Sequence, residues 1–269
     1  MSTINLCMFA SVGGGTGKTT LLWEVAGSLA VQRRTVLILD TDFGGSIHHN
    51  DMQGEGECLN DALNFQGATC IENDYDVRRA ARIIGHCGYP GVRVIPAATD
   101  AAARHNMMLW AFKPSEGRTY TSHRVGGHEF PWGKRFGSIL EVCAFQFPDV
   151  TDILIDCGPG MFGFPAMIAA VLANQHGQET CRSGNAWRST AFVVSAGGRI
   201  IDDAATARGT IQQTIPTARL VYNRASSHVS KNDMRLFSNM AETPLLFVRE
   251  RAPTRGIDVS ELVDLLPGG

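Results

Sequence analysis

Nowhere does this sequence hold the roughly 20 consecutive apolar residues that a membrane-crossing helix requires. It also lacks a charge excess. Its 24 basic side chains stand against 26 acidic ones, so any nucleic-acid contact would have to come from a local patch. Cysteines, at positions 7, 58, 70, 87, 143, 157 and 181, are odd in number and include no C-x-x-C pair. That fits neither a disulfide framework nor a zinc site, and a reducing cytoplasm is the expected compartment, with the thiols serving as small hydrophobes. Met1 to Phe9 has no basic segment ahead of its apolar run, and the run leads into glycines rather than a small-residue cleavage site, so no secretion signal is expected. Internal repeats, low-complexity tracts and linker-like stretches are missing too. With 269 residues, 44% hydrophobic and 19% charged, the chain is too apolar to stay disordered, and a single domain over 1–269 is the expectation.

What is present is an alternation of short apolar runs with helix-patterned segments. This predicts an α/β fold: a mostly parallel, twisted sheet with helices on both faces. The run Ile4 to Ala10 precedes a helix over Lys18 to Gln32, with Thr16, Thr19 and Thr20 suited to its start. Further strands are predicted at Thr35 to Leu39, Val92 to Pro96, Ile153 to Asp156, Ala191 to Ser195, Ala218 to Tyr222 and Pro244 to Val248. Helices are predicted at Glu57 to Asn64, Asp76 to Ile84, Gly137 to Phe147, Pro165 to Ala173, Asp202 to Thr214 and Asp258 to Leu266, and Cys157 to Gly160 reads as a turn. Two stretches, 113–135 and 174–189, break the pattern and are read as insertions. The first mixes Lys113, Arg118, Arg124, Lys134 and Arg135 with Tyr120, Phe130 and Trp132, a candidate surface for DNA or a protein partner.

The strongest chemical signal is Gly13-Gly14-Gly15-Thr16-Gly17-Lys18-Thr19-Thr20, between a buried strand and an amphipathic helix. Glycines let successive N–H groups converge on phosphate oxygens at the positive end of the following helix. Lys18 is placed to bridge β and γ phosphates, and the Thr19 hydroxyl to reach Mg²⁺. Val12 occupies the first glycine position of the G-x-x-x-x-G-K-[ST] pattern, a weakening of the match. Lysine is scarce, four against twenty arginines, yet one of the four is Lys18, where a compact ammonium is required.

Acids at strand ends supply the metal chemistry. Asp156 follows Ile153-Leu154-Ile155 and is expected at the carboxyl edge of a central strand as a Walker-B acid for Mg²⁺. Asp40 and Asp42 end another strand, and a period of two puts both on one side. One can order the metal's water shell while the other orients an attacking water.

Four separated motifs then carry a family resemblance: residues 13–20, V-L-I-L-D-T-D at 36–42, I-L-I-D-C-G-P-G at 153–160 and V-Y-N-R at 221–224. In order and spacing they resemble the ParA/MinD family of deviant Walker ATPases, P-loop NTPases. The resemblance implies an ATP- and Mg²⁺-dependent switch that forms a nucleotide-sandwich homodimer, hydrolyses ATP slowly and positions plasmids, chromosomes, division machinery or other cargo. It implies phosphate and cofactor contacts from Gly14, Gly15, Thr16, Gly17, Lys18, Thr19 and Thr20, metal contacts from Thr19, Asp40 and Asp156, and catalysis by Lys18, Asp42 and Asp40. Asn223 would read the adenine edge, although an Asn after a strand is also a common turn former, and Gly158 to Gly160 would form a second switch. A stimulating partner, ParB-like or a cargo adaptor, is implied as well.

The sequence departs from the family at Gly13, where the resemblance calls for a signature lysine that crosses the dimer. Either an arginine such as Arg199 or Arg251 supplies that charge, or the sandwich is weaker and turnover slower. The tail carries Asp258, Glu261 and Asp264 with no Lys or Arg after Arg255, which argues against membrane attachment and for Leu262, Val263, Leu265 and Leu266 packing on the domain. Between Arg219 and Arg255, Arg219, Arg224, Lys231, Arg235, Arg249, Arg251 and Arg255 outnumber the acids, a candidate stripe for non-specific DNA. The competing expectation is a MinD-like regulatory ATPase acting on a protein without nucleic acid. His48, His49, His105, His123 and His128 lack ligand spacing and read as surface or loop histidines; Met107, Met108 and Trp110 read as packing residues, and Cys157 as a buried thiol.

Overall fold

The structure is a computed structural model that describes residues 2–42, 58–59, 63, 82–83, 90–97, 123–125, 128–130, 132–161, 164–179, 183–196, 200–213, 215–225, 245–249 and 258–266. In chain order the elements are β1 (Thr3–Ser11), α1 (Lys18–Val31), β2 (Val36–Thr41), β3 (Arg82–Ile83), β4 (Val92–Ile95), β5 (His123–Val125), β6 (His128–Phe130), α2 (Trp132–Gln146), β7 (Asp152–Pro159), α3 (Phe164–Gln175), β8 (Ala186–Ser195), α4 (Ile200–Gln212), β9 (Arg219–Ala225), β10 (Leu245–Arg249) and α5 (Ser260–Asp264).

Among the described residues, eight strands form one sheet in the order β10-β9-β8-β1-β7-β2-β4-β3, while β5 and β6 make a separate hairpin. All neighbours in the large sheet run parallel except β3, which is antiparallel to β4 at the edge. Parallel strands covered on both faces need side chains that are apolar in both directions, and β1 shows it: Ile4 to Ser11 are all buried. Alternate residues feed two cores. Ile4, Leu6, Met8 and Ala10 join residues of α2, α3 and α4, whereas Cys7 and Phe9 join α1 and α5. From β1 the chain crosses to β2 on one side and later adds β8, β9 and β10 on the other. The sense of the strand order therefore reverses at β1, where such sheets open a crevice at their carboxyl edge.

Several boundaries differ from the sequence expectation. Strand β7 runs on through Cys157 and Gly158 to Pro159, so the expected turn begins later. Arg82 and Ile83 form an edge strand rather than a helix end. Helix α2 starts at Trp132, inside the first stretch read as an insertion, and β8 starts at Ala186, inside the second. Gly133 and Gly137 look like breakers, yet they lie on the face of α2 that approaches Val171 and Gln175 of α3. The polar start of β8 is hidden from simple patterning because its hydroxyls are bonded internally: Ser189 Oγ donates to Leu172 O and Thr190 Oγ1 to Thr217 Oγ1.

The tail behaves as expected. Leu262, Val263 and Leu266 are buried against α1, and Leu265 packs beside them. Arg34 donates to the Leu266 carbonyl and fastens this end to the sheet. Among the described residues no helix is long and apolar enough to cross a membrane, and no cluster of metal-binding side chains is found. Residues 48, 49, 105, 107, 108, 110, 199 and 251, most of the basic stretch after 225, and most of the two helices expected between 57 and 84 lie outside the described residues.

Candidate phosphate and metal site

The loop between β1 and α1 sits at the carboxyl edge beside β7. It is anchored at its base by Ser11, whose Oγ donates to Gly13 O (2.8 Å), and by Gly160, whose N–H donates to Ser11 O (2.8 Å). Gly15 and Gly17 have φ of 73° and 77°, in the left-handed region where a Cβ is costly. Gly17 is also the N-cap of α1. The helix begins at Lys18 as expected, with Thr19 and Thr20 in its first turn, but no threonine caps it, and that turn holds no acid. The N-terminal amides of a helix need acceptors, so an uncapped start suits an anion. Gly14, Gly15 and Thr20 are exposed at the loop, while Thr16 and Lys18 are buried.

Two other predicted site residues, Lys18 and Thr19, meet at Asp156. Thr19 Oγ1 donates to its Oδ2 (2.6 Å), and Lys18 Nζ lies 3.5 Å from its Oδ1. The carboxylate is fully buried, and among the described residues Oδ1 makes no hydrogen bond beyond its ion pair with the Lys18 ammonium. Burial pushes this carboxyl above the ordinary range; the Lys18 charge and the Thr19 hydrogen bond pull it back, and Asp42 adds to the upward push. A buried carboxylate beside a threonine hydroxyl is a fitting donor set for a hard cation such as Mg²⁺.

Strand β2 brings the other acids alongside. Asp40 is paired in register with Asp156, and its Oδ1 accepts the Asp42 N–H (2.9 Å). Asp40 is buried and Asp42 half-buried. The backbone of Gly158 passes close to Asp42: a Cβ built there would lie 3.5 Å from Asp42 Oδ1. Sequence reading singled out the acids and passed over the residue between them. Thr41 is buried, and its Oγ1 donates to the Asp156 carbonyl (2.8 Å), tying the D-T-D turn to β7. The signal was there in the motif, a hydroxyl between two acids, but its partner lies 115 residues away.

Asn223 closes the site from β9. It is fully buried, and its Nδ2 donates to Thr16 O in the loop (2.9 Å). Cys157 is a buried thiol whose pKa burial pushes up to about 12, with the Asp156 charge adding to it.

A family model described as "CobQ/CobB/MinD/ParA nucleotide binding domain" matches residues 7–252. Solved structures similar in fold include a ParA family ATPase from Chlorobium tepidum TLS, at 13% identity and a TM-score of 0.57 over 98% of this chain and 88% of that one. The cell division ATPase MinD of Pyrococcus furiosus matches at 18% identity and 0.58, over 92% and 84%. Cobyrinic acid a,c-diamide synthase from Mycobacterium smegmatis, solved with an ATP analog and magnesium, matches at 19% and 0.55, over 98% and 91%. Among the curated proteins compared, no sequence matches.

Proposed function

The chain belongs to the CobQ/CobB/MinD/ParA nucleotide-binding domain family, and from that premise we propose that it is an ATP-driven switch that hydrolyses ATP slowly and uses the bound triphosphate to control homodimerisation and non-specific DNA binding. The observation that carries this reading is the convergence of Lys18 and Thr19 on a buried Asp156, one of whose oxygens is met by the Lys18 ammonium and, among the described residues, by no hydrogen bond. Lys18 rests against the acid until a γ-phosphate offers it a better-placed anion. Thr19 and Asp156, with Asp40 behind them, would hold Mg²⁺, which would neutralise charge on the phosphate oxygens. Asp42 orients the water whose oxygen bonds to the γ-phosphorus as the bond to ADP breaks. The solved structures with an ATP analog and magnesium, or with AMPPNP on a Borrelia burgdorferi putative plasmid partition protein, support the choice of cofactor.

DNA as the output is supported by the basic residues from Arg219 to Arg255. A lipid output is disfavoured because the buried side chains of α5 already pack on α1. Gly13 in place of the signature lysine argues for slow turnover, with a ParB-like or cargo-bound partner as stimulator. Gel retardation of non-specific duplex with ATP, ADP or no nucleotide, over a salt series, tests the output. Retention only with ATP, falling steeply with salt, is expected. No retention in any state, with ATP-dependent dimers still formed, would move the output to a protein partner.

A further inference from the structure

We infer that Asn223 acts on the phosphates through the loop: it holds the Thr16–Gly17 peptide in the one orientation that turns the Gly17 N–H towards a triphosphate, a positioning role that does not depend on the base. This rests on the reading of the loop as a triphosphate site. The peptide bond is planar and trans, so the carbonyl of Thr16 and the N–H of Gly17 point in opposite directions. Asn223 Nδ2 grips that carbonyl from the β9 side at 2.9 Å, and both residues are buried. The amide of Gly17 is thereby aimed away from β9.

The grip matters because glycine geometry alone does not fix this orientation. Gly17 sits at φ 77° and ψ 20°, and glycine populates positive and negative φ about equally, so the peptide before it is free to flip at little steric cost. Gly17 has no side chain, and α1 has no side-chain cap to fix its entry. On the far side of Gly17 the helix provides order, with Leu21 N–H donating to Gly17 O (2.9 Å). The Thr16 carbonyl is a handle on its near side, and Asn223 reaches it from a strand 207 residues away.

Base reading and peptide holding separate cleanly with a ligand that has no base. Calorimetric titrations of Mg²⁺-ATP, Mg²⁺-GTP and Mg²⁺-tripolyphosphate into wild type, Asn223→Ala and Asn223→Asp would be compared. Asp keeps the shape but lacks the donor. The expected result is a loss of about tenfold for all three probes, the equivalent of one hydrogen bond, with the ATP-to-GTP ratio unchanged. A changed ratio with tripolyphosphate affinity intact would overturn the inference in favour of base reading. Unchanged affinity in a variant that merely melts at lower temperature would overturn it in favour of a purely structural role. Should neither variant fold, glycine-selective ¹⁵N spectra of the wild type keep the test open: the Gly17 amide must shift on adding tripolyphosphate, and an unmoved Gly17 contradicts the inference. If wild type binds neither ATP nor tripolyphosphate, the triphosphate site itself is wrong and this inference goes with it.

Discussion

Two aspartates on one strand, Asp152 and Asp156, have the same burial and opposite surroundings. They lie four residues apart on β7, on the same face of the sheet, and neither is exposed to solvent. Burial raises the pKa of both carboxyls. At the lower edge, Asp152 accepts from Arg34 through two nitrogens, from Asn5 Nδ2 (3.0 Å) and from Thr151 Oγ1 (2.7 Å), so both its oxygens are bonded. At the upper edge Asp156 has one oxygen bonded by Thr19, while the other meets the Lys18 ammonium at 3.5 Å and, among the described residues, makes no hydrogen bond. A carboxylate whose every lone pair is answered within the protein serves the fold. One held by a single hydroxyl and a single ammonium, at an edge beside a helix with no side-chain cap, has bonding capacity left that a ligand could use.

Substitution should separate the two ends, beginning with the upper one. Asp156→Asn is expected to lower ATP turnover at least about a hundredfold while leaving the fold intact, as measured by phosphate release and circular dichroism. Its stability should also diverge from wild type with pH. Because the folded pKa of Asp156 is raised, this group's contribution is fully present below the ordinary carboxyl pKa of about 3.9 and is lost as pH rises through the raised value. Without metal or nucleotide, the asparagine variant should therefore gain on wild type as pH is raised from about 4, followed by urea unfolding.

The lower end should respond in the other currency. Asp152→Ala strands the Arg34 guanidinium in a buried site and should cost about 3–5 kcal/mol in urea unfolding, with ATP affinity retained in the folded fraction. Leu262→Ala, which opens a cavity under α5 at the same end, should cost about 2–4 kcal/mol, again without a direct effect on the phosphate loop. Back at the upper end, Thr41→Val removes the hydroxyl that holds the Asp156 carbonyl; a loss of about 1 kcal/mol is expected, with Thr41→Ser restoring it. The smallest expected effect is chemical: Cys157, with its thiol pushed up to about 12, should resist alkylation at pH 8 in the folded protein, read by mass spectrometry of the labelled peptide.

The upper end was legible in the sequence and the lower end was not. Phosphate loops and strand-end acids are local motifs, and parallel strands buried on both faces leave continuous apolar runs, so Lys18, Thr19, Asp40, Asp42 and Asp156 could be named from residue order alone. Asp152, Asn5 and Arg34 carry no such motif. Their partnership spans 147 and 118 residues and exists only once β1, β7 and the end of α1 are side by side. Strand β8 was read five residues short for a related reason, since Ser189 and Thr190 look like loop residues until their internal acceptors are in place. Asn223 falls between the two cases: its strand is visible in the sequence, but β9 runs on past the expected end at Tyr222 to Ala225, so Asn223 lies within the strand, and its bond to Thr16 carries no local signal.

The most direct test is the shift in melting temperature that Mg²⁺-ATP produces in wild type and in Asp156→Asn. At a ligand concentration about a hundred times the dissociation constant, wild type should melt about 5 °C or more higher, and the variant should gain little under the same conditions. Equal gains in both proteins, or none in wild type, would contradict the assignment of Asp156 to the metal of a bound triphosphate.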